Sequence, residues 1–238
     1  MTSVQFPREI HFLAIGSLTI AVACAIWTAI DVKRHPQKMA IMNAVWPLTI
    51  LFGSLLWLWL YLKFGRQKGQ GIPTEGGETP MWVAVAKGSS HCGAGCTLGD
   101  IIAESSAFIF PAIAILFGWN ILFAEKTFAV WIIDYVVAFG LGVVFQYFTI
   151  KPMRDLSVMQ GIYQAIKADT ASITAWQVGM YGGMALLQFG WFRPSYGGLA
   201  EVNTPEFWFA MQIAMICGFA TSYPINWWLI SSGIKERM

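Results

Sequence analysis

Six stretches of this chain are almost free of charge, and each is long enough to cross a bilayer. A transmembrane helix needs about 20 predominantly apolar residues. Residues 10–30, 39–62, 170–192 and 207–234 contain no Asp, Glu, Lys or Arg, while 101–124 contains only Glu104 and 127–150 only Asp134. The pattern predicts an all-α, polytopic membrane protein in one integral-membrane domain covering residues 1–238. Its six transmembrane helices are expected at about 10–30, 39–62, 98–124, 127–150, 170–192 and 207–232. Composition agrees: charged residues make up 12% of the chain, against about 25% in soluble domains. The net charge of +2 gives no reason to expect nucleic-acid binding. Four cysteines in 238 residues do not suggest a disulfide framework.

The first run contains "AVAC" at 21–24, which resembles a lipoprotein processing site. The run is longer than the roughly 7–15-residue core of a signal peptide, so it reads as a membrane helix. Six crossings put both termini on one side, with the 63–100 and 151–169 connections. That side holds ten Lys and Arg residues and the opposite side five. The positive-inside rule then places both termini in the cytoplasm of a bacterial inner membrane. Lys33, Arg34 and Lys38 pull against this assignment.

Within residues 151–167, Met153, Leu156, Met159, Ile162 and Ile166 recur at helical spacing and predict an amphipathic segment at the interface. Pro47, Pro111 and Pro224 fall inside expected helices and predict kinks. Gly179 and Gly183 form a G-x-x-x-G pair, a close-packing signal. The halves of the chain show no convincing repeat.

The stretch "SHCGAGCTLGD", residues 90–100, gathers His91, Cys92 and Cys96 with two glycines and Asp100. Thr97 and Asp100 match a capping pattern, so Thr97 is expected to start a helix and the preceding residues to form a tight loop. Cysteines at a helix start favour thiolate. Two thiolates and an imidazole suit Cu(I) or Zn(II), and three local ligands suit Cu(I) better than a closed zinc site. A redox dithiol and plain packing remain as rival readings.

Ionisable groups inside membrane helices are candidates for function. Asp100 and Glu104 share a helix face, so a path from Cys96 past Asp100 to Glu104 would run inward; Asp134 reads as an interfacial acid. Met180 and Met184, and Met211 and Met215, are i,i+4 pairs whose thioethers would make stations for a soft ion, or simple packing. Gln177 and Asn226 are polar residues within apolar runs. The three histidines, His11, His35 and His91, fall near different membrane faces, and no haem is expected.

Four stretches, "WPLTILFG", "SHCGAGCTLGD", "KADTASITAWQVGMYG" and "YPINWWLISSGIKERM", together resemble a bacterial integral-membrane family known as a domain of unknown function. Some members carry loose copper-related names. The resemblance runs from about residue 40 to the end and implies a polytopic membrane protein without an established reaction. It singles out His91, Cys92, Cys96, Asp100, Lys167, Asp169, Gln177, Tyr223 and Asn226. The leading expectation is a transporter or channel for a soft metal ion, Cu(I) first, rather than an enzyme. Its partners would be the bilayer and the ion, with self-association left open. Alternatives are a redox protein cycling a Cys92–Cys96 disulfide and an accessory or assembly factor for a membrane metalloenzyme.

Overall fold

The computed structural model describes residues 4–37, 39–67, 79–151, 157–235 and 237. All regular structure among them is helical, apart from one isolated bridge between Trp119 and Phe123. In chain order the helices are α1 (Arg8–Arg34), α2 (Met42–Leu60, continued by a π-helical turn Tyr61–Gly65), α3 (Met81–Ile109), α4 (Ala112–Leu116), α5 (Lys126–Ile150), α6 (Val158–Ala185, continued by π-helical Leu186–Phe192), α7 (Arg193–Tyr196) and α8 (Pro205–Ser231). Four segments are long and apolar enough to cross a membrane: Arg8–Arg34, Met42–Gly65, Lys126–Ile150 and Pro205–Ser231. Phe12, Leu13, Ile26, Leu55 and Val136 on these segments point outward. Water would penalise an apolar surface of that extent, and lipid accommodates it.

The segment 42–65 is not one straight helix. Ser54 has φ 47° and ψ −129°, which breaks it. Fifteen residues of straight helix span about 22 Å, yet the Trp46 and Tyr61 rings lie 5.5 Å apart. A side chain at Gly65 would collide with Trp46. The two arms, 42–53 and 55–65, therefore fold back on each other as a helical hairpin with its tip at Gly53–Ser54. Both ends of the hairpin lie beside the end of α1. Asp31 accepts hydrogen bonds from Tyr61 Oη (2.7 Å) and from Arg66 Nε and Nη2 (both 2.9 Å).

α1 and α8 run parallel. His11 contacts Glu206 and Ser17 contacts Gln212, so equal steps along one helix match equal steps along the other. The chain thus starts at one end of the bundle and finishes at the other. This departs from the expected single side for both termini, because the hairpin's two arms return to the end at which they began.

The third helix also departs from expectation. It starts at Met81, not near residue 98, and ends at Ile109, not at 124. Pro111 ends this helix instead of kinking it, since the residue before a proline is pushed out of the helical region. Pro47 and Pro224 do sit inside α2 and α8. The stretch 90–100 is helical throughout and buried, so the tight loop is overturned. Thr97 is no cap: its hydroxyl donates to the Gly93 carbonyl one turn back, at 2.7 Å. Glycine here serves packing. A Cβ at Gly99 would stand 2.8 Å from Ala138 Cα, and one at Gly95 3.1 Å from the Gly142 nitrogen. Small residues at four-residue spacing on both α3 and α5 let the backbones touch, the close-approach device of membrane helices. Gly179 and Gly183 do the same for α6 against Cys217 and Ala214 of α8. The amphipathic segment proves to be the start of α6, which runs unbroken from Val158 and is capped by Ser157 in a capping box with Gln160. Met153 and Leu156 lie outside the described residues.

α3 sits at the centre, packed against α2, α5, α6 and α8. From Val83 to Asp100 its side chains are almost all enclosed by protein, and its large exposed apolar residues, Trp82, Ile102, Phe108 and Ile109, lie toward its two ends.

Candidate functional site

The α-helical course of 81–109 puts Cys92, Cys96, Asp100 and Glu104 one turn apart, along one face of α3. All four are buried. Each meets groups from another helix, and together they form a line of ionisable side chains through the bundle.

At the end where the chain finishes, Cys92 Sγ lies 2.9 Å from Ser172 Oγ and 3.4 Å from Asp169 Oδ1, both on α6. Lys235 Nζ donates to Asp169 Oδ1 at 2.8 Å and to Cys92 Sγ at 3.1 Å. Asn226 of α8 donates to Ser172 Oγ at 2.7 Å. Burial works against the charge on Lys235, but Asp169 and Cys92 outweigh it and hold its pKa above the ordinary lysine value.

Further along, Asp100 approaches Asp134 of α5. The two carboxyls are within hydrogen-bond reach of each other, and apart from that contact neither Asp100 oxygen nor Asp134 Oδ1 has a partner. Asp134 Oδ2 accepts from Tyr181 Oη at 2.8 Å and from Gln177 Nε2 at 3.4 Å. Glu104 continues the line toward Asp134 and Lys126.

Asp100 also lines a cavity of about 360 Å³ bounded by α1, the hairpin, α3 and α8. Leu51 and Phe52, just before the hairpin tip, form one wall, and Met211, Gln212 and Met215 form another. Gln212 ties the wall together. It accepts from Ser17 Oγ at 2.8 Å and donates to the Leu51 carbonyl at 2.7 Å. An arm of 12 residues reaches about 18 Å, so the tip and the cavity lie near the middle of the bundle.

The expected metal ligands are dispersed. His91 is turned toward α5, with Nε2 2.9 Å from Thr149 Oγ1. Cys92 faces Asp169 and Lys235, and Cys96 lies between Cys92 and the Asp100–Asp134 pair. Among the described residues no group of three or more His, Cys, Asp or Glu side chains is placed to hold a metal ion. Residues at i,i+4 on a helix have Cβ atoms about 5–6 Å apart, beyond the roughly 3.5–4.5 Å of a disulfide. Cys92 and Cys96 would have to unwind α3 to pair. Met211 and Met215 face the cavity with Asp100, whereas Met180 and Met184 are buried in the apolar core beside Trp176. Gln177 joins the acid pair and Asn226 the lysine cluster.

Reasoning from the residues alone missed two participants. Asp134 reads as interfacial by its distance from Lys126, but α5 continues inward and buries it to 1% exposure. Lys235 reads as a cytoplasmic tail charge; Gly233 is the one signal that the chain turns back there.

A family described as a domain of unknown function, DUF4396, matches residues 81–235. The chain belongs to it. The DUF4396 match begins with the first residue of α3 and ends at Lys235, so it contains the whole line of ionisable groups. It leaves out α1 and the hairpin, and with them "WPLTILFG", so the likeness starts later than residue 40. No curated protein and no solved structure matches the chain.

Proposed function

We propose that this protein carries a monovalent soft cation, Cu(I) first among candidates, across the bacterial inner membrane. In this reading α1, α3, α5, α6 and α8 cross the bilayer and 42–65 re-enters it as a hairpin. Broken helices at membrane depth are tolerated where they are enclosed in protein or line a cavity. Transporters use the exposed ends of such half-helices to hold ions and substrates. The supporting observation is the company Asp100 keeps. A buried acid whose one polar neighbour is a second acid, Asp134, borders a cavity shared with two thioethers and the end of the hairpin's first arm. Thioethers select Cu(I) over harder ions. The carboxylate balances its charge, and the carbonyl end of the half-helix favours a cation. HCGAGC contributes its thiols to the same line instead of forming a chelating loop.

Orientation follows from the parallel course of α1 and α8. Among the described residues, Lys33, Arg34, Lys63, Arg66, Lys87, Lys151, Lys167, Lys235 and Arg237 lie toward the end where the chain finishes. Only Arg8, Lys126 and Arg193 lie toward the other. The positive-inside rule then puts the C-terminus in the cytoplasm and the N-terminus outside. The Lys33/Arg34 cluster now supports the assignment it opposed under six crossings.

The test is cation flux in vesicles containing the purified protein, with a Cu(I)-sensing dye inside. Wild type is expected to give saturable Cu(I) entry. Asp100→Asn should cut it by about tenfold or more, the scale of a charge-assisted contact. Met211→Leu with Met215→Leu should lower Cu(I) entry more than Tl(I) entry. Cu(I) entry equal to that of empty vesicles, or unchanged in Asp100→Asn, overturns the proposal.

A further inference from the structure

We propose that Lys235 is a tethered cation: its ammonium fills a monovalent-cation site built from Asp169, Ser172, Asn226 and Cys92, and seals the cytoplasmic end of the bundle. The binding site stands on its own contacts. Only the sealing role rests on the reading of the bundle as a cation path.

The lysine does not belong to a helix. α8 ends at Ser231, and Gly233 adopts φ 69°. Gly233 N donates to the Ile230 carbonyl and Ile234 N to the Leu229 carbonyl, at 3.2 and 3.0 Å. This is the Schellman arrangement, in which a left-handed glycine reverses the chain. The reversal sends Lys235 back into the bundle, where its side chain is fully enclosed. Gly88 of α3 borders it: a Cβ there would meet Lys235 Cε at 3.9 Å and Asn226 Oδ1 at 3.7 Å, ordinary contact distances.

What surrounds the ammonium is richer in acceptors than a single ion pair requires. Asp169 Oδ1 and Cys92 Sγ contact it directly. Asp169 Oδ2 and Asn226 Oδ1 are also buried, and neither has a hydrogen-bond partner. Both Asn226 amide hydrogens are already committed, to Ser172 Oγ and the Ser222 carbonyl. Neither oxygen bonds the ammonium, so both are spare acceptors in a wall made by three helices, with the cation supplied by a segment that an unfolding of one turn would withdraw. Ammonium and short alkylammonium ions are the chemical class that reproduces the Lys235 head group.

The experiment uses full-length protein with Cys24, Cys96 and Cys217 changed to Ala, leaving Cys92 as the reporter. Lys235→Ala should lower the melting temperature and speed alkylation of Cys92 by about tenfold or more, since an open site no longer depends on local unfolding for access. Ethylammonium chloride should then raise the melting temperature saturably and slow the alkylation, while tetramethylammonium at equal concentration should do neither. Lys235→Met and the double change Asp169→Asn/Lys235→Met guard against misfolding: the first should respond to ethylammonium and the second should not. A folded Lys235→Ala or Lys235→Met protein indifferent to ethylammonium overturns the site. In vesicles, Lys235→Met should pass cations faster than wild type. Rescue by ethylammonium without any gain in flux would keep the site and overturn the sealing role.

Discussion

The thiols of the HCGAGC stretch show how much a single residue's meaning depends on its backbone. In a loop at a helix start, Cys92 and Cys96 would be activated and free to converge. Inside α3 they are fixed one turn apart and fully enclosed. That difference is measurable by thiol labelling. In detergent, N-ethylmaleimide should modify Cys24 and Cys217, which are only partly buried, before Cys92 and Cys96, whose labelling waits on local opening. Mild oxidation should leave both α3 thiols free by mass spectrometry. A Cys92–Cys96 disulfide formed without loss of helix content would restore the redox reading and contradict the geometry. The i,i+4 relation of Asp100 and Glu104 was legible from spacing alone. Their shared neighbour Asp134 was not, nor were Asp169 and Lys235 beside Cys92, because these three lie 34 to 135 residues from Asp100 in sequence and only packing brings them in.

At the scale of elements, two assignments separate what hydropathy can and cannot say. A run of 24 apolar residues fits one crossing and fits two short arms equally well, because composition carries no direction. Pro47 and Gly53–Ser54 punctuate the run, and neither a proline nor a small-residue pair inside a membrane helix is unusual. The backbone at Ser54 is where the hairpin should be most sensitive. Its positive φ suits glycine and costs a non-glycine residue about 1–3 kcal/mol. Ser54→Gly should therefore raise the thermal midpoint of unfolding in detergent, and Ser54→Val should lower it. Equal midpoints for all three proteins would mean that the chain passes Ser54 without the turn. α3 failed in the opposite sense. Its first half is dominated by small and polar residues, which lower mean hydropathy and imitate a loop. Such residues are what a helix needs when it packs against neighbours on every side and meets no lipid. The buried helix is thus less apolar in sequence than the helices at the periphery.

For the whole molecule, the decisive quantity is the number of crossings. Two contacts between α1 and α8, His11 with Glu206 and Ser17 with Gln212, fix them as parallel. In the proposed membrane arrangement, parallel first and last helices require an odd number of passes, and the hairpin supplies none. The positive-inside count sharpens for the same reason, since the basic residues after α1 join those at the C-terminal end. Fusions in a bacterial host check this directly. A fluorescent protein that folds only in the cytoplasm should be bright when attached after residue 238 and dark when attached before residue 1. An alkaline phosphatase that works only outside should be active at the N-terminus alone. Bright fluorescence from both ends would return the chain to six crossings. It would require 42–65 to straighten, which would pull Tyr61 and Arg66 away from Asp31 and leave that carboxylate with His35 alone, 3.2 Å away.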